Sequence, residues 1–237
     1  MNDNLRQVIE NAKSIVFFGG AGVSTESGIP DFRSEKGLYS AMTKYGAPPE
    51  ELLSHDFFVK NPQIFFDYYR NNLIYGDARP NAAHMALAAL EKRGLLKAVI
   101  TQNIDGLHQL AGSKNIFELH GSVQKNYCTD CGARYGLAYI LESEELVPRC
   151  KECGGIVRPH VVLYGEMLDD LVMEGAVEAV KRADVLIVGG TSLVVYPAAG
   201  LVDYFSGDKL VLINLSATPY DSRADLVINE PIGKALG

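Results

Sequence analysis

The chain has 237 residues, of which 47% are hydrophobic and 22% charged, and a formal net charge of −7. This composition excludes a disordered chain, and the length allows one large domain or a main domain carrying an insert. No basic run offers the clustered Lys and Arg of a direct nucleic-acid binder, and no stretch approaches the roughly 18 apolar residues of a membrane span, so the chain reads as cytoplasmic, with neither nucleic acid nor membrane as partner.

Leu5, Val8, Ile9 and Ala12 recur at i, i+3, i+4 and i+7 and predict an amphipathic helix, which runs into an apolar strand, Ile15-Val16-Phe17-Phe18. The next residues, Gly19-Gly20-Ala21-Gly22-Val23-Ser24-Thr25, put glycines where a strand turns into a loop, and backbone amides at a following helix start would attract a diphosphate. The match to G-x-G-x-x-G is partial, because Thr25 stands at the third glycine position, so an ordinary glycine-rich strand end is the alternative. Gly28-Ile29-Pro30-Asp31-Phe32-Arg33 makes a poor core and a good ligand wall; a weak Asp-Arg surface pair is its plainer reading.

Between about 30 and 80 the chain is rich in Tyr, Phe, Pro and Asn without a clear buried strand. Helix then strand returns at Ala83 to Leu90 and Ala98-Val99-Ile100, with Gly94 between them. Gln102, Asn103, Ile104 and Asp105 follow that strand, at the edge where parallel sheets bind ligands. Asn and Asp there can hydrogen-bond a carboxamide and ribose hydroxyls, or can cap a helix starting at Gly106. His120, before Gly121, titrates near neutral pH and is a candidate general base; His55, His84, His108 and His160 read as structural.

All four cysteines fall in one window as C-x2-C-x18-C-x2-C, Cys128, Cys131, Cys150 and Cys153, a spacing suited to one structural zinc ion, with two disulfides as the rival. Farther on, Met173, Ala176, Val177 and Val180 form one helical face before the strand Val185 to Val188. Gly190-Thr191-Ser192 closes that strand with hydroxyl groups able to meet phosphate or ribose. Strands at Leu210 to Ile213 and Leu226 to Ile228 complete a set of short apolar runs typical of a parallel sheet covered on both faces. The expected fold class is α/β, with the segments around 30–80 and 121–157 inserted beside the sheet.

GAGVSTESGIPDFR, TQNIDGLH, ELHGS, the paired C-x-x-C motifs, YGE, GGTS and INLS occur in that order, and through them the chain resembles the sirtuin family of NAD-dependent protein deacylases over roughly 15–216. The resemblance implies a Rossmann-type NAD-binding domain from residues 1–33, 83–121 and 158–237. A small domain would combine a helical insert, 34–82, with a zinc-ribbon module, 122–157. It implies NAD contacts from Ala21, Thr25, Phe32, Arg33, Gln102, His120, Thr191, Ser192, Asn214, Leu215 and Ile232, with Ile104 and Asp105 on the nicotinamide. Asn214 would bind the adenosine ribose in place of the missing acid.

Asn103 would order the ribose and a water, and His120 would be the general base. In the implied reaction the acyl-lysine oxygen attacks the anomeric carbon and nicotinamide leaves. His120 then deprotonates a ribose hydroxyl, whose oxygen attacks the alkylimidate carbon, and hydrolysis releases free lysine and 2′-O-acyl-ADP-ribose, a chemistry of both transferase and hydrolase character. Acetylated proteins or peptides are the implied partners, held between Val162, Leu163, Gly165 and Glu166 on one side and Leu193 and Val194 on the other, as an added strand.

Two departures bear on the substrate. Tyr164 stands where the family usually has Phe, and Met167-Leu168-Asp169 where a Pro is usual. Relatives that take succinyl groups carry Tyr-x-x-Arg, whereas Tyr68-Tyr69-Arg70 has a different spacing, so acetyl or another uncharged acyl group is expected. The alternatives are a protein ADP-ribosyltransferase and a non-catalytic NAD- or ADP-ribose-binding module; the presence of both Asn103 and His120 favours the deacetylase.

Overall fold

A computed structural model describes residues 1–30 and 42–237. Its strands in chain order are β1 Ile15–Gly19, β2 Leu96–Thr101, β3 Ile116–Glu118, β4 Gly121–Cys128, β5 Arg134–Gly136, β6 Val157–Val161, β7 Val185–Gly189, β8 Lys209–Ile213 and β9 Leu226–Ile228. Six of them form a parallel sheet in the order β3-β2-β1-β7-β8-β9, and the other three an antiparallel sheet in the order β5-β4-β6. The large sheet therefore reverses direction of growth between β1 and β7, the switch point where α/β sheets bind nucleotides.

Period-two alternation distributes each strand between two cores. Ile15 and Phe17 of β1 pack with Leu5, Ile9, Leu87, Leu90 and Leu236, while Val16 and Phe18 pack with Ala176, Val180, Leu201 and Val202 on the other face. The covering helices are Asp3–Asn11, Ala82–Lys92 and Ile232–Leu236 on one side and Asp170–Arg182 on the other. Their starts are fixed by side chains: Asn2, Asn81 and Asp169 each accept from backbone amides of the first turn, and Asn81 with His84 completes a capping box.

A third core lies apart from the large sheet. Phe58, Phe65, Phe66, Tyr68 and Tyr69 of the helices His55–Lys60 and Pro62–Asn72 pack there with Val123, Cys128, Ile140, Cys150 and Val157 of the cysteine segment. Two stretches remote in sequence thus share one apolar interior.

The glycine segment after β1 differs from expectation. It continues as two short 3₁₀ turns, Ala21–Val23 and Thr25–Ser27, in place of an α-helix. The amides of Gly20 and Gly22 bond the carbonyls of Gly189 and Gly190. A Cβ on Gly22 would lie 2.7 Å from Gly190 Cα, and one on Gly190 would lie 2.4 Å from the Val23 nitrogen. These glycines are required where the loops after β1 and β7 touch backbone to backbone.

Candidate functional site

The register of the parallel sheet sets the site. Gly19 pairs with both Thr101 and Gly189, and Gly189 with Ile213, so β1, β2, β7 and β8 end level. Gly20, Gln102, Gly190 and Asn214 follow side by side, and all four line a cavity of about 610 Å³. The same cavity is lined by His120, by the 161–166 segment and, through Phe65, Tyr69 and Leu73, by the helical part of the third core.

Side-chain hydrogen bonds knit these strand ends together. Gln102 Nε2 donates to Thr191 Oγ1 at 3.0 Å, joining the loops after β2 and β7. Asn103 Nδ2 donates to Ser24 Oγ at 3.0 Å, and Ser24 Oγ donates to Asp105 Oδ2 at 2.7 Å. Asp105 Oδ1 accepts from the Leu107 amide at 2.8 Å, the first amide of the helix Leu107–Ala111, although Gly106 holds the N-cap position, whereas Asn103 faces the glycine loop. Asp105 is therefore held at both carboxylate oxygens.

Ser24, only 1% exposed, is the site residue that residue-type reasoning missed. Its position within the glycine motif was the available signal, but its partners 79 and 81 residues away are visible only in the fold.

His120 follows β3 and precedes β4. Its Nδ1 lies 2.9 Å from the Gln102 carbonyl, which can only accept, so the proton sits on Nδ1 and Nε2 carries the lone pair. Burial, partly offset by that hydrogen bond, lowers the His120 pKa below 6.5 and keeps the ring a neutral base at physiological pH. Gly121, at φ 75°, lets the chain pass under His160: a Cβ there would sit 2.0 Å from the His160 carbonyl oxygen. The approach Gly121 permits is thus by backbone.

The remaining expected cofactor residues fall around the same opening. Ala21, Thr25, Ile104, Ser192, Leu215 and Ile232 all line the cavity, with Leu215 exposed and Ile232 buried against Gly189. Thr25 Oγ1 donates to the Gly22 carbonyl, and Asn214 Nδ2 to the Ser216 carbonyl. Phe32 and Arg33, with Asp31, lie outside the described residues.

Of the expected peptide residues, Val162, Leu163, Gly165 and Glu166 line the cavity, and the 162–166 segment leaves the end of β6. Leu193 and Val194 do not line it, although Val195 and Tyr196 beside them do. Leu193 is buried at a left-handed φ of 53°, its amide bonded to Thr191 Oγ1. Glu166 is an anchored carboxylate. Burial opposes its charge, but Arg158, the Leu163 amide and His55 outweigh it and hold the pKa at about 2.

Cys128, Cys131, Cys150 and Cys153 bring their four sulfurs within 4.8 Å of one another. The Cys128–Cys153 and Cys131–Cys150 sulfur separations are 3.4 and 3.6 Å. A disulfide needs about 2.05 Å. Four thiolates around a metal at ~2.3 Å would stand roughly 3.8 Å apart, within the 4.8 Å that bounds the cluster. The amides of Asp130 and Glu152 point at the sulfurs of Cys128 and Cys150, the outer contacts that thiolate ligands require. The donor set fits a tetrahedral thiophilic metal and leaves no position for water.

His84 and His108 form a buried pair with ring centroids 4.7 Å apart beside the helix Ala82–Lys92. Burial, helped by His84, pushes His108 down to about 3, and burial, partly offset by Asp105, lowers His84. The unfolded chain binds a proton at each imidazole near pH 6.5, whereas folded His108 does not until about pH 3, so protons favour unfolding below pH 6.5. From His108 alone the cost is about 2 kcal/mol by pH 5. Denaturant unfolding of wild type and His108→Leu at pH 7.5 and pH 5 should show the variant losing less stability on acidification; equal losses would contradict this account.

The profile of the Sir2 family matches residues 20–197. A Clostridium acetobutylicum protein named NAD-dependent protein deacetylase is 60% identical over 234 residues, covering 99% of this chain and 96% of that protein. A Clostridium perfringens protein of the same name is 61% identical over 236 residues, with the same coverage. Among solved structures, a complex titled as Sir2 with a p53 peptide and NAD+ superposes with a TM-score of 0.87 at 39% identity, covering 100% of this chain and 96% of that one. Sir2Tm bound to a propionylated peptide superposes equally well, TM-score 0.87 at 38% identity, covering 98% and 94%.

Proposed function

The chain belongs to the Sir2 family, and from that premise we propose that it removes acetyl or other uncharged acyl groups from protein lysines, consuming NAD and releasing nicotinamide and 2′-O-acyl-ADP-ribose. One observation carries the reading: a neutral His120, its Nδ1 proton fixed on the Gln102 carbonyl, lines the same cavity as the nucleotide-type strand ends and the 162–166 segment.

NAD supplies the electrophilic anomeric carbon and the nicotinamide leaving group. The chain supplies the rest. Ala21, Thr25, Thr191, Ser192, Leu215 and Ile232 would contact the cofactor, with Asn214 on the adenosine ribose; Phe32 and Arg33 are assigned to the cofactor from the sequence resemblance alone. Ile104 and Asp105 face the nicotinamide, with Asp105 pre-set by Ser24 and the Leu107 amide. Gln102 and Asn103 border the ribose. His120 Nε2 takes a proton from a ribose hydroxyl, a role that the fixed tautomer prepares. Val162, Leu163 and Gly165 would form one edge for an extended peptide, with the 193–196 segment, which reaches the cavity through Val195 and Tyr196, as the other. The cysteines would hold a structural zinc, and the third core supports a division into residues 1–33, 83–121 and 158–237 against 34–82 and 122–157. Four cysteines set as thiol ligands fit a reducing cytoplasm, and no helix among the described residues is long and apolar enough to cross a membrane.

Two observations support the uncharged acyl preference. Among the described residues lining the cavity none is Lys or Arg, and Arg70 directs its guanidinium to the carbonyls of Ser143 and Glu145. The test compares one lysine peptide in acetylated and succinylated form, with and without NAD. Faster, NAD-dependent loss of acetyl is expected. Faster desuccinylation would overturn the acyl reading, and transfer of ADP-ribose to protein with the acetyl group left in place would overturn the deacetylase.

A further inference from the structure

We propose that Glu166, Arg158 and His55 form a bracket that positions the 162–165 segment against His120, with Glu166 acting as a positioning residue and not as a side-chain ligand of the peptide. The proposal rests on the reading of 162–166 as one edge of the peptide cleft.

The carboxylate of Glu166 is full. Oε1 accepts from Arg158 Nη1 at 2.6 Å and from His55 Nδ1 at 2.9 Å; Oε2 accepts from Arg158 Nη2 at 3.1 Å and from the Leu163 amide at 2.8 Å. A carboxylate offers about four lone-pair sites, and four donors occupy them, so nothing is left for a peptide amide. Gly165, at φ 89°, turns the chain so that this carboxylate comes back beneath Leu163, and the Glu166 amide closes the same turn on the Leu163 carbonyl at 2.9 Å.

Arg158 cannot yield either. Its side chain is 6% exposed, its remaining donors reach the carbonyls of Val161 and Pro159, and its guanidinium lies over the rings of Phe58 and Tyr127. A planar fork packed against two aromatic rings and hydrogen-bonded along its edge fixes the place of its carboxylate partner.

The bracket has a direction toward the chemistry. The Val162 amide bonds the His120 carbonyl at 3.0 Å. Two residues on, the Tyr164 amide bonds the Leu53 carbonyl and the His55 amide bonds the Tyr164 carbonyl, each at 3.0 Å. The segment is therefore tied at its start to the catalytic histidine, in its middle to the helical insert, and at its end to Arg158 of β6. Releasing the last tie frees the edge on which the acyl-lysine backbone would lie while leaving the Gln102, Asn103 and Asp105 network untouched.

The experiment measures four quantities for wild type, Glu166→Gln and His55→Ala: peptide KM, kcat, NAD affinity in the absence of peptide, and the thermal transition. Glu166→Gln turns an NH2 group toward the Arg158 fork, and peptide KM should rise about tenfold with NAD affinity kept within about twofold. His55 is half-exposed, so His55→Ala retains the fold; its peptide KM should rise about two- to fivefold. A folded Glu166→Gln protein with unchanged peptide KM overturns the proposal, as does an equal loss of NAD affinity, which would make Glu166 a general support of the fold. Should Glu166→Gln not fold, His55→Ala decides by the same criteria. Direct binding of a fluorescent acetyl-lysine peptide to the same proteins requires no turnover, so it tests the bracket even if the wild-type protein proves not to be a deacetylase.

Discussion

His120→Ala is expected to lower turnover of an acetyl-lysine peptide by about 10²–10⁴-fold, the usual worth of a general base. Some NAD binding should remain, because the Gln102 to Thr191 and Asn103 to Ser24 to Asp105 bonds do not involve the His120 side chain. The acid limb of wild-type kcat/KM for the peptide should fall below pH 6.5, since burial lowers the pKa of His120 and the free ring remains an unprotonated base down to that lower value. Near-wild-type deacetylation by His120→Ala would remove His120 from the role.

The second large effect concerns the fold. Stripping the metal, or Cys150→Ser, should unfold the third core, because metal binding contributes roughly 10–16 kcal/mol of apparent free energy to modules of this kind. Cys128 and Cys150 are buried among the aromatic residues of that core, and its three-stranded sheet is short. Hydrogen exchange should therefore show lost protection in β4 and β6 while β1, β2, β7 and β8 keep theirs. One equivalent of zinc per chain should be released with the loss. A chelated protein with unchanged exchange in β4 and β6 would contradict a structural metal.

The parallel sheet was legible because its signal is local. Runs such as Ile15-Val16-Phe17-Phe18 and Val185-Leu186-Ile187-Val188 are apolar at every position because both faces of the sheet are covered, and they fell where the strands are. The four cysteines were legible for the same reason, since their ligand chemistry is written in a fixed spacing. The antiparallel sheet was less so: β4 has exposed Gln124 and Lys125 in its middle, a shift of register against β6, and no clean alternation.

At the site, the residues were legible but not their bonding. Gln102, Asn103, Asp105 and His120 are polar groups at a strand edge, which any parallel sheet would recommend as ligand contacts. That Asn103 turns to Ser24 while Asp105 takes the first amide of the helix Leu107–Ala111 depends on where the glycine loop lies, and that loop is set against Gly190. Glu166 shows the same limit. A Glu in an apolar segment next to a glycine reads as a surface or ligand group, and only the fold brings Arg158, His55 and the Leu163 amide onto its two oxygens.

In the proposed reaction one turnover couples NAD cleavage to lysine deacylation through His120. Mass spectrometry of a reaction with NAD and an acetyl-lysine peptide tests it most directly. Nicotinamide, free-lysine peptide and 2′-O-acetyl-ADP-ribose should appear in equal amounts, with no nicotinamide released when the peptide is omitted. Peptide-independent nicotinamide release, or deacetylation yielding free acetate with NAD intact, would contradict it.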